Sequence, residues 1–473
     1  MVTANLIAAL LRFRHPTNQR NLWMDSVCIN QNAIDERNQQ VKLMGNIYQK
    51  ASRVLVWLGE EDSNTELAYS CLRAFVALKR STILEQSKNQ RGRGAERTEP
   101  RWTENEICKS LKLPLPNSAG FQALQALLER QWFSRAWVYQ ESSLARECWI
   151  VTGSHEIQGS SLALLFEKMS TIQRHFGLLV YESLSWSVLT GYSMFGPWEK
   201  LTKLNDFSNF WATLHSLLVF RKGTQAHDPR DIVYSLIGVA SRNSTLELDP
   251  DYKMPWEDMY TSTAKHIISN SGDLRLLCSS SRPGRYFPRL PTWVPDWRQS
   301  CSSIIISYLA PTLRKYYSSG SSQVVLRHNG NPNKLEVRGV RCDEIHHIFL
   351  SEESLDGLLR RSNIASSKIP DADQRNDFTT SECGFGFGPK DTKVGDCIFI
   401  LLGAEVPILL RREGNGTEFS FVGECFVNNL MQGEGLLKAR KKADPSYDLE
   451  DKAWLMRLHE EDVPFPMDYV VII

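Results

Sequence analysis

A chain of 473 residues, 42% hydrophobic and 23% charged, is too long for one ordinary hydrophobic core and too apolar to stay disordered, so two or three packed units are expected. Lys and Arg (55) nearly match Asp and Glu (54), and the formal charge of +1 leaves no basic footprint for nucleic acid or an acidic membrane surface. No apolar run reaches bilayer-spanning length. The ten cysteines are scattered, with no C-x-x-C pair and no zinc-ligand spacing, which predicts reduced thiols in a cytoplasmic protein without a metal.

Residues 4–14 read as the end of an amphipathic helix. The run LWMDSVCI at 22–29 is short and almost wholly apolar, which predicts a strand buried on both faces of a parallel sheet. A helix is expected over 35–51, with Val41, Met44, Tyr48 and Ala51 at helical spacing. Its acidic first turn (Asp35, Glu36) and basic last turn (Lys50) match the helix dipole. RVLVWLG at 53–59 is a second buried strand, and 65–80 a second helix. Strand, helix, strand, helix is the grammar of an α/β unit with a parallel sheet. The polar stretch 81–106 reads as a mobile insertion. The pattern resumes with a helix over 121–130, the segment RQWFSRAWVYQESSLA at 130–145 and a strand over 147–152.

From 160 to 272 the chain reads helical, with DPRD at 228–231 as an acidic cap followed by Pro in the first turn. After PTWVPDW at 291–297 the apolar period changes to two. The runs 323–327, 335–340, 396–402, 406–411 and 418–425, separated by turn residues, predict a meander or small barrel. The expected organisation is an α/β domain over 1–155, a helical middle region over 156–300 and a β-rich C-terminal domain over 301–473. GFGFG at 384–388 lacks a leading strand and a following Lys-Ser/Thr, so it reads as a turn between domains.

Four blocks, in order, resemble the heterokaryon incompatibility (HET) domain proteins of filamentous fungi. They are LWMDSVCINQ at 22–31 running on to VLVWLG at 54–59, RQWFSRAWVYQE at 130–141, DPRDIVYSLIGVA at 228–240 with Asp249-Pro250-Asp251-Tyr252, and TWVPDW at 292–297. The stretches 395–411 and 422–435 resemble the C-terminal region common in these proteins. The resemblance implies an intracellular protein of non-self recognition and programmed cell death. It also implies a fold distantly similar to TIR domains, a flavodoxin-like parallel sheet with ligands at the carboxyl ends of the strands. Here that edge would carry Cys28, Asn30 and Gln31 after one strand and residues 59–62 after the next. HET proteins usually open with a strand block of the type Y-x-A-L-S-Y-x-W-G, which is not found in these 473 residues, so an N-terminally truncated domain with a missing first strand is expected.

The spacing Trp137-x-x-x-Glu141 resembles the W-C-x-x-E box of TIR domains, whose glutamate cleaves NAD at its nicotinamide bond. Loss of nicotinamide passes through an oxocarbenium-like ribosyl cation that a carboxylate can oppose. The bland alternative is a Glu141 paired with Arg135 or Arg146. Asp25, in an apolar run, either holds a ribose hydroxyl or satisfies backbone N–H groups or Arg37. Cys28 has no His nearby in sequence and reads as a small buried thiol. Asn30, Gln31 and Gln140 are amides suited to turns or to ligand recognition. Two functions stay open: an interaction and signalling module that works through protein partners or self-association and needs no cofactor, and a TIR-like enzyme with NAD as its substrate.

Overall fold

The computed structural model describes residues 3–92, 103–176, 214–221, 224–240, 248–280, 289–299, 317–327, 330–349, 375–382, 384–414, 416–447, 455, 458 and 467–473. These fall into two compact units, Met1–Lys253 and Met254–Ile473. Helix α1 (Ala4–Phe13) is capped by Thr3, whose hydroxyl accepts from the Leu6 N–H at 3.2 Å.

The run 22–29 is not a strand. Asp25–Cys28 forms a four-residue helix, α2. Asp25 accepts the Ser26 N–H at 2.7 Å, and Cys28 and Ile29 donate back to the carbonyls of Met24 and Asp25. Leu22 and Val27 are exposed, so this apolar run buries no sheet face. Helix α3 (Ile34–Lys50) follows as expected, burying Val41, Met44 and Gly45.

Strand β1 (Val54–Trp57) ends at Gly59, whose φ of +105° suits glycine. Helices α4 (Thr65–Ala77), α5 (Arg80–Gly92), α6 (Glu104–Leu111), α7 (Ala119–Leu128) and α8 (Val138–Ser143) lie before the next strand. In its described residues, the stretch expected as a mobile insertion is largely helical. Ile83 and Ser87 of α5 are buried, and a capping box between Thr103 and Glu106 starts α6. Residues 93–102 lie outside the described residues.

Strand β2 (Cys148–Thr152), not residues 22–29, is the parallel neighbour of β1, with Val54 opposite Cys148 and Trp57 opposite Val151. Strand β3 (His155–Gln158) adds antiparallel to β2, so the sheet is mixed, in the order β1-β2-β3. Helix α1 stands against β1: the Trp57 indole donates to Asn5 Oδ1 at 3.0 Å, and the Phe13 ring meets it edge-on at 5.9 Å.

Helix α9 (Gly159–Phe176) packs with α4, which also meets α7; Leu72, Phe75, Phe121, Leu124, Phe166 and Ile172 fill the space between. Helix α10 (Leu214–Phe220) leads to α11 (Asp231–Ala240), which packs on α3 and α8. Two glycines set the close α3–α11 crossing: a Cβ on Gly45 would lie 3.1 Å from Gly238 Cα. The region between α9 and α10 lies outside the described residues.

The second unit opens with α12 (Trp256–Ser271), followed by the TWVPDW block. Trp293 and Trp297 are fully buried, so these indoles are core. The remaining elements are β4 (Leu326–Arg327), β5 (Leu335–Phe349), β6 (Arg375–Thr380), β7 (Phe385–Pro389), β8 (Cys397–Leu401), β9 (Ile408–Glu413), β10 (Glu418–Glu424), β11 (Phe426–Val427), α13 (Glu434–Ala443) and β12 (Asp468–Ile472). Strand β5 pairs with both β12 and β8, which closes the ring β5-β12-β10-β9-β8 into a small barrel. The far end of β5 carries β6, β7 and β11. The core holds Ile345, Phe378, Ile398, Ile400, Leu409 and Val427.

The GFGFG stretch is not a turn between domains but, from Phe385, the body of β7. Gly386 and Gly388 are there because side chains do not fit. A Cβ on Gly386 would fall on the Phe426 carbonyl oxygen and 2.7 Å from the Phe378 ring.

Candidate functional site

Glu141 lies on α8, just past the 3-10 turn Gln131–Ser134. Its carboxylate accepts a long hydrogen bond, 3.4 Å, from the Trp132 indole N–H. The side chain is half-buried, and burial raises its pKa above the ordinary glutamate value. The Arg135 guanidinium opposes that rise, and the Asp25 carboxylate adds to it. The Tyr48 phenol of α3 feels the same groups. Its pKa stands well above the usual value through burial first, then the charges of Glu141 and Asp25, with Arg135 again opposing. The Trp23 ring meets Tyr48 edge-on at 5.8 Å. Cys148, at the start of β2, is pushed up to about 12 by burial and then by Glu141.

Segments distant in sequence thus place two carboxylates, a phenol, an indole and one guanidinium within electrostatic reach of one another. Chemically, such a group sets a carboxyl of raised pKa beside an aromatic face.

The other expected site residues divide into two sets. Cys28 is exposed at the end of α2. The Asn30 side chain accepts the Asn32 N–H at 3.2 Å, and its own N–H donates to Glu36 at 3.0 Å; Gln31 is exposed in the same turn. These three form the connection from α2 to α3. Gln140 is buried between helices. With its amide oriented to satisfy both neighbours, it donates to the Ser235 carbonyl at 3.0 Å and accepts the Gly45 N–H at 2.8 Å. The loop after β1 is held by Arg130, which donates to the Leu58 and Glu60 carbonyls and pairs with Asp62 at 3.1 Å.

Trp137 precedes α8 and donates to Asp231 of α11. Asp231 belongs to a half-buried ionic cluster whose members sequence alone does not join. The Arg37 guanidinium lies 3.5 Å from Asp231 and 3.6 Å from Asp228, and 3.5 Å from the centre of the Tyr252 ring. The Tyr252 hydroxyl donates to Asp231, and Arg230 takes Asp228 in a two-toothed pair at 2.8 and 2.9 Å. Burial raises the Asp231 pKa, whereas the Arg230 hydrogen bonds hold Asp228 below its usual value. Of the alternatives for Asp25, the carboxylate takes a backbone N–H, that of Ser26, and not Arg37, which serves α11 instead.

The family description "Heterokaryon incompatibility protein (HET)" matches residues 1–141, and "Het-6 beta-barrel domain" matches 364–444. The chain is thus similar to HET-domain proteins in two regions. It is 26% identical over 417 residues to heterokaryon incompatibility protein 6, OR allele, of Neurospora crassa, covering 76% of this chain and 56% of that relative. No solved structure matches the chain. The HET match ends at Glu141, yet Arg37 inside it is clamped by Asp228, Asp231 and Tyr252 beyond it. Residues beyond the matched region therefore help to hold it in place. No described helix is long and apolar enough to cross a membrane, and the described residues contain no cluster of metal-ligating side chains.

Proposed function

We propose that this chain acts in fungal heterokaryon incompatibility, as a signalling and interaction module whose engagement ends in programmed cell death. The observation that carries the reading is that one chain holds both matched regions, the HET match followed by the Het-6 barrel, and is similar over 417 residues to an incompatibility protein. The HET unit also leaves Ile7, Leu11, Leu22, Val27, Ile34 and Leu43 exposed on and around α1, α2 and α3. Exposed large apolar side chains are the raw material of a protein contact, with a partner or with a second copy. Induced expression of the chain in a filamentous fungus should arrest growth and kill hyphal compartments. Normal growth at a level where folded protein is detected would contradict the reading.

A second reading is supported by the approach of Asp25, Tyr48 and Trp132 to Glu141: hydrolysis of NAD. Breaking the ribosyl C–N bond releases neutral nicotinamide and leaves an oxocarbenium-like cation, to which water adds with loss of a proton. A carboxylate at Glu141 would stabilise that cation, and the indole and phenol would shape an aromatic wall. Incubation of purified protein with NAD should then release nicotinamide, and Glu141→Gln should abolish the release.

The same substitution has a structural control. A carboxyl whose folded pKa is raised costs stability above that pKa and regains it as pH falls through it. Glu141→Gln keeps the acceptor for Trp132 and removes the charge. Its melting temperature at pH 7 should equal or exceed that of the parent chain, and the gain should vanish at acid pH. A loss of stability at pH 7 would show that the carboxylate itself supports the fold.

A further inference from the structure

Helix α12 carries Lys265, Ile268 and Ser269 on one face, at i, i+3 and i+4. Facing them is the hairpin of β4 and β5, and between lies a cleft of about 260 Å³ that Arg327, Gly330 and Lys334 also line. The charges around it are not alike. Lys334 pairs with Glu418, which lies outside the cleft. Arg327 is opposite Glu336 in the strand pair, and its guanidinium lies 3.9 Å from the centre of the Tyr469 ring.

Lys265 has no such partner: among the described residues no carboxylate comes within ion-pair distance of it. It is half-buried, and its Nζ donates to the Asn331 carbonyl at 3.3 Å. Burial alone lowers its pKa below the ordinary lysine value. An ammonium withdrawn from water without a counter-charge costs free energy that an incoming anion would offset. Room for one exists in the open volume of the cleft that Lys265 lines.

We propose that this cleft binds a small oxyanion, a phosphate or carboxylate group, with Lys265 as its main cation and Ser269 and Arg327 as flanking donors. The volume is below the usual range for drug-sized ligands, roughly 300–1,000 Å³, so the cleft takes a charged group rather than a large body. Glu336, opposite Arg327, also lines the cleft, but the cations Lys265, Arg327 and Lys334 outnumber that one carboxylate, and with the serine hydroxyl they favour acceptor-only oxygens.

The test is thermal unfolding of the full chain titrated with inorganic phosphate and, in parallel, with acetate, each matched in ionic strength by chloride. A ligand bound by the native state alone raises the melting temperature with its concentration. At least one anion should raise it beyond chloride, phosphate pointing to a phosphorylated ligand and acetate to a carboxylate. Lys265→Met should melt higher than the parent without anion, because the buried charge is gone, and should weaken anion binding at least tenfold. Lys265→Arg should keep the response. General stabilisation by phosphate, which acts by exclusion from protein surface, would be the same in parent and Lys265→Met, so only the difference counts. The proposal is overturned if neither anion exceeds chloride, or if the response persists in Lys265→Met. Should Lys265→Met not fold, Lys265→Gln supplies the same comparison.

Discussion

Replacing Arg37 by methionine lowers the melting of the first unit by about 5–10 °C at pH 7, a loss of about 2–3 kcal/mol. Methionine keeps most of the stem that lies over the Tyr252 ring but removes the charge between Asp228 and Asp231. Asp228 still has Arg230, whereas Asp231 keeps only neutral donors, the Tyr252 hydroxyl and the Trp137 indole. The figure sits at or below the low end for a broken buried ion pair because the Arg37 side chain retains 23% of its exposure. Asp231 already has a raised pKa, and losing Arg37 raises it further. The cost is therefore fully present above that pKa and shrinks as pH falls through it. Circular dichroism melts at pH 7 and at acid pH measure this, and Arg37→Met with Asp231→Asn should recover part of the loss. Equal melting of parent and Arg37→Met at pH 7 would show that the clamp is not stabilising.

Gly386→Val should cost the second unit about 3 kcal/mol or more, lowering its melting by about 6–12 °C or preventing its folding. The added Cβ meets the Phe426 carbonyl oxygen, which belongs to the backbone of β11, and the Phe378 ring on β6. Strand β7 is hydrogen-bonded on both sides, so neither contact can move aside cheaply. Gly384, two residues earlier, has open space around its Cβ and only a φ of +92° to lose. Gly384→Ala should cost about 1–2 kcal/mol, and the contrast between the two variants separates overpacking from backbone strain.

The architecture was legible where periodicity was long. The helix over 34–50, the strand at 54–57 and the barrel strands at 397–401, 408–413 and 418–424 stand within a few residues of where their patterns predict them. It failed where runs were short. LWMDSVCI is as apolar as a buried strand, but Asp25 takes a local N–H and turns the chain into a helix, an outcome periodicity cannot distinguish over eight residues. GFGFG resembles a turn by composition; that Gly386 faces Phe378 and Phe426 depends on strands far along the chain. At the site, the flagged carboxylates Asp25 and Glu141 do come within electrostatic reach. Tyr48 was visible only as one residue of a helix face, and the reach of Arg37 to Asp228 and Asp231 spans more than 190 residues, so no local signal announces it.

The most direct test of the proposed incompatibility role is a pairing assay in a filamentous fungus that carries the gene. Strains carrying the intact gene and strains from which it is deleted are each paired against the same panel of partners, and the viability of fused compartments is scored. Deletion should turn at least one incompatible pairing into a compatible one, with the intact chain restoring incompatibility when returned. Identical outcomes for intact and deleted strains across every pairing would contradict the account.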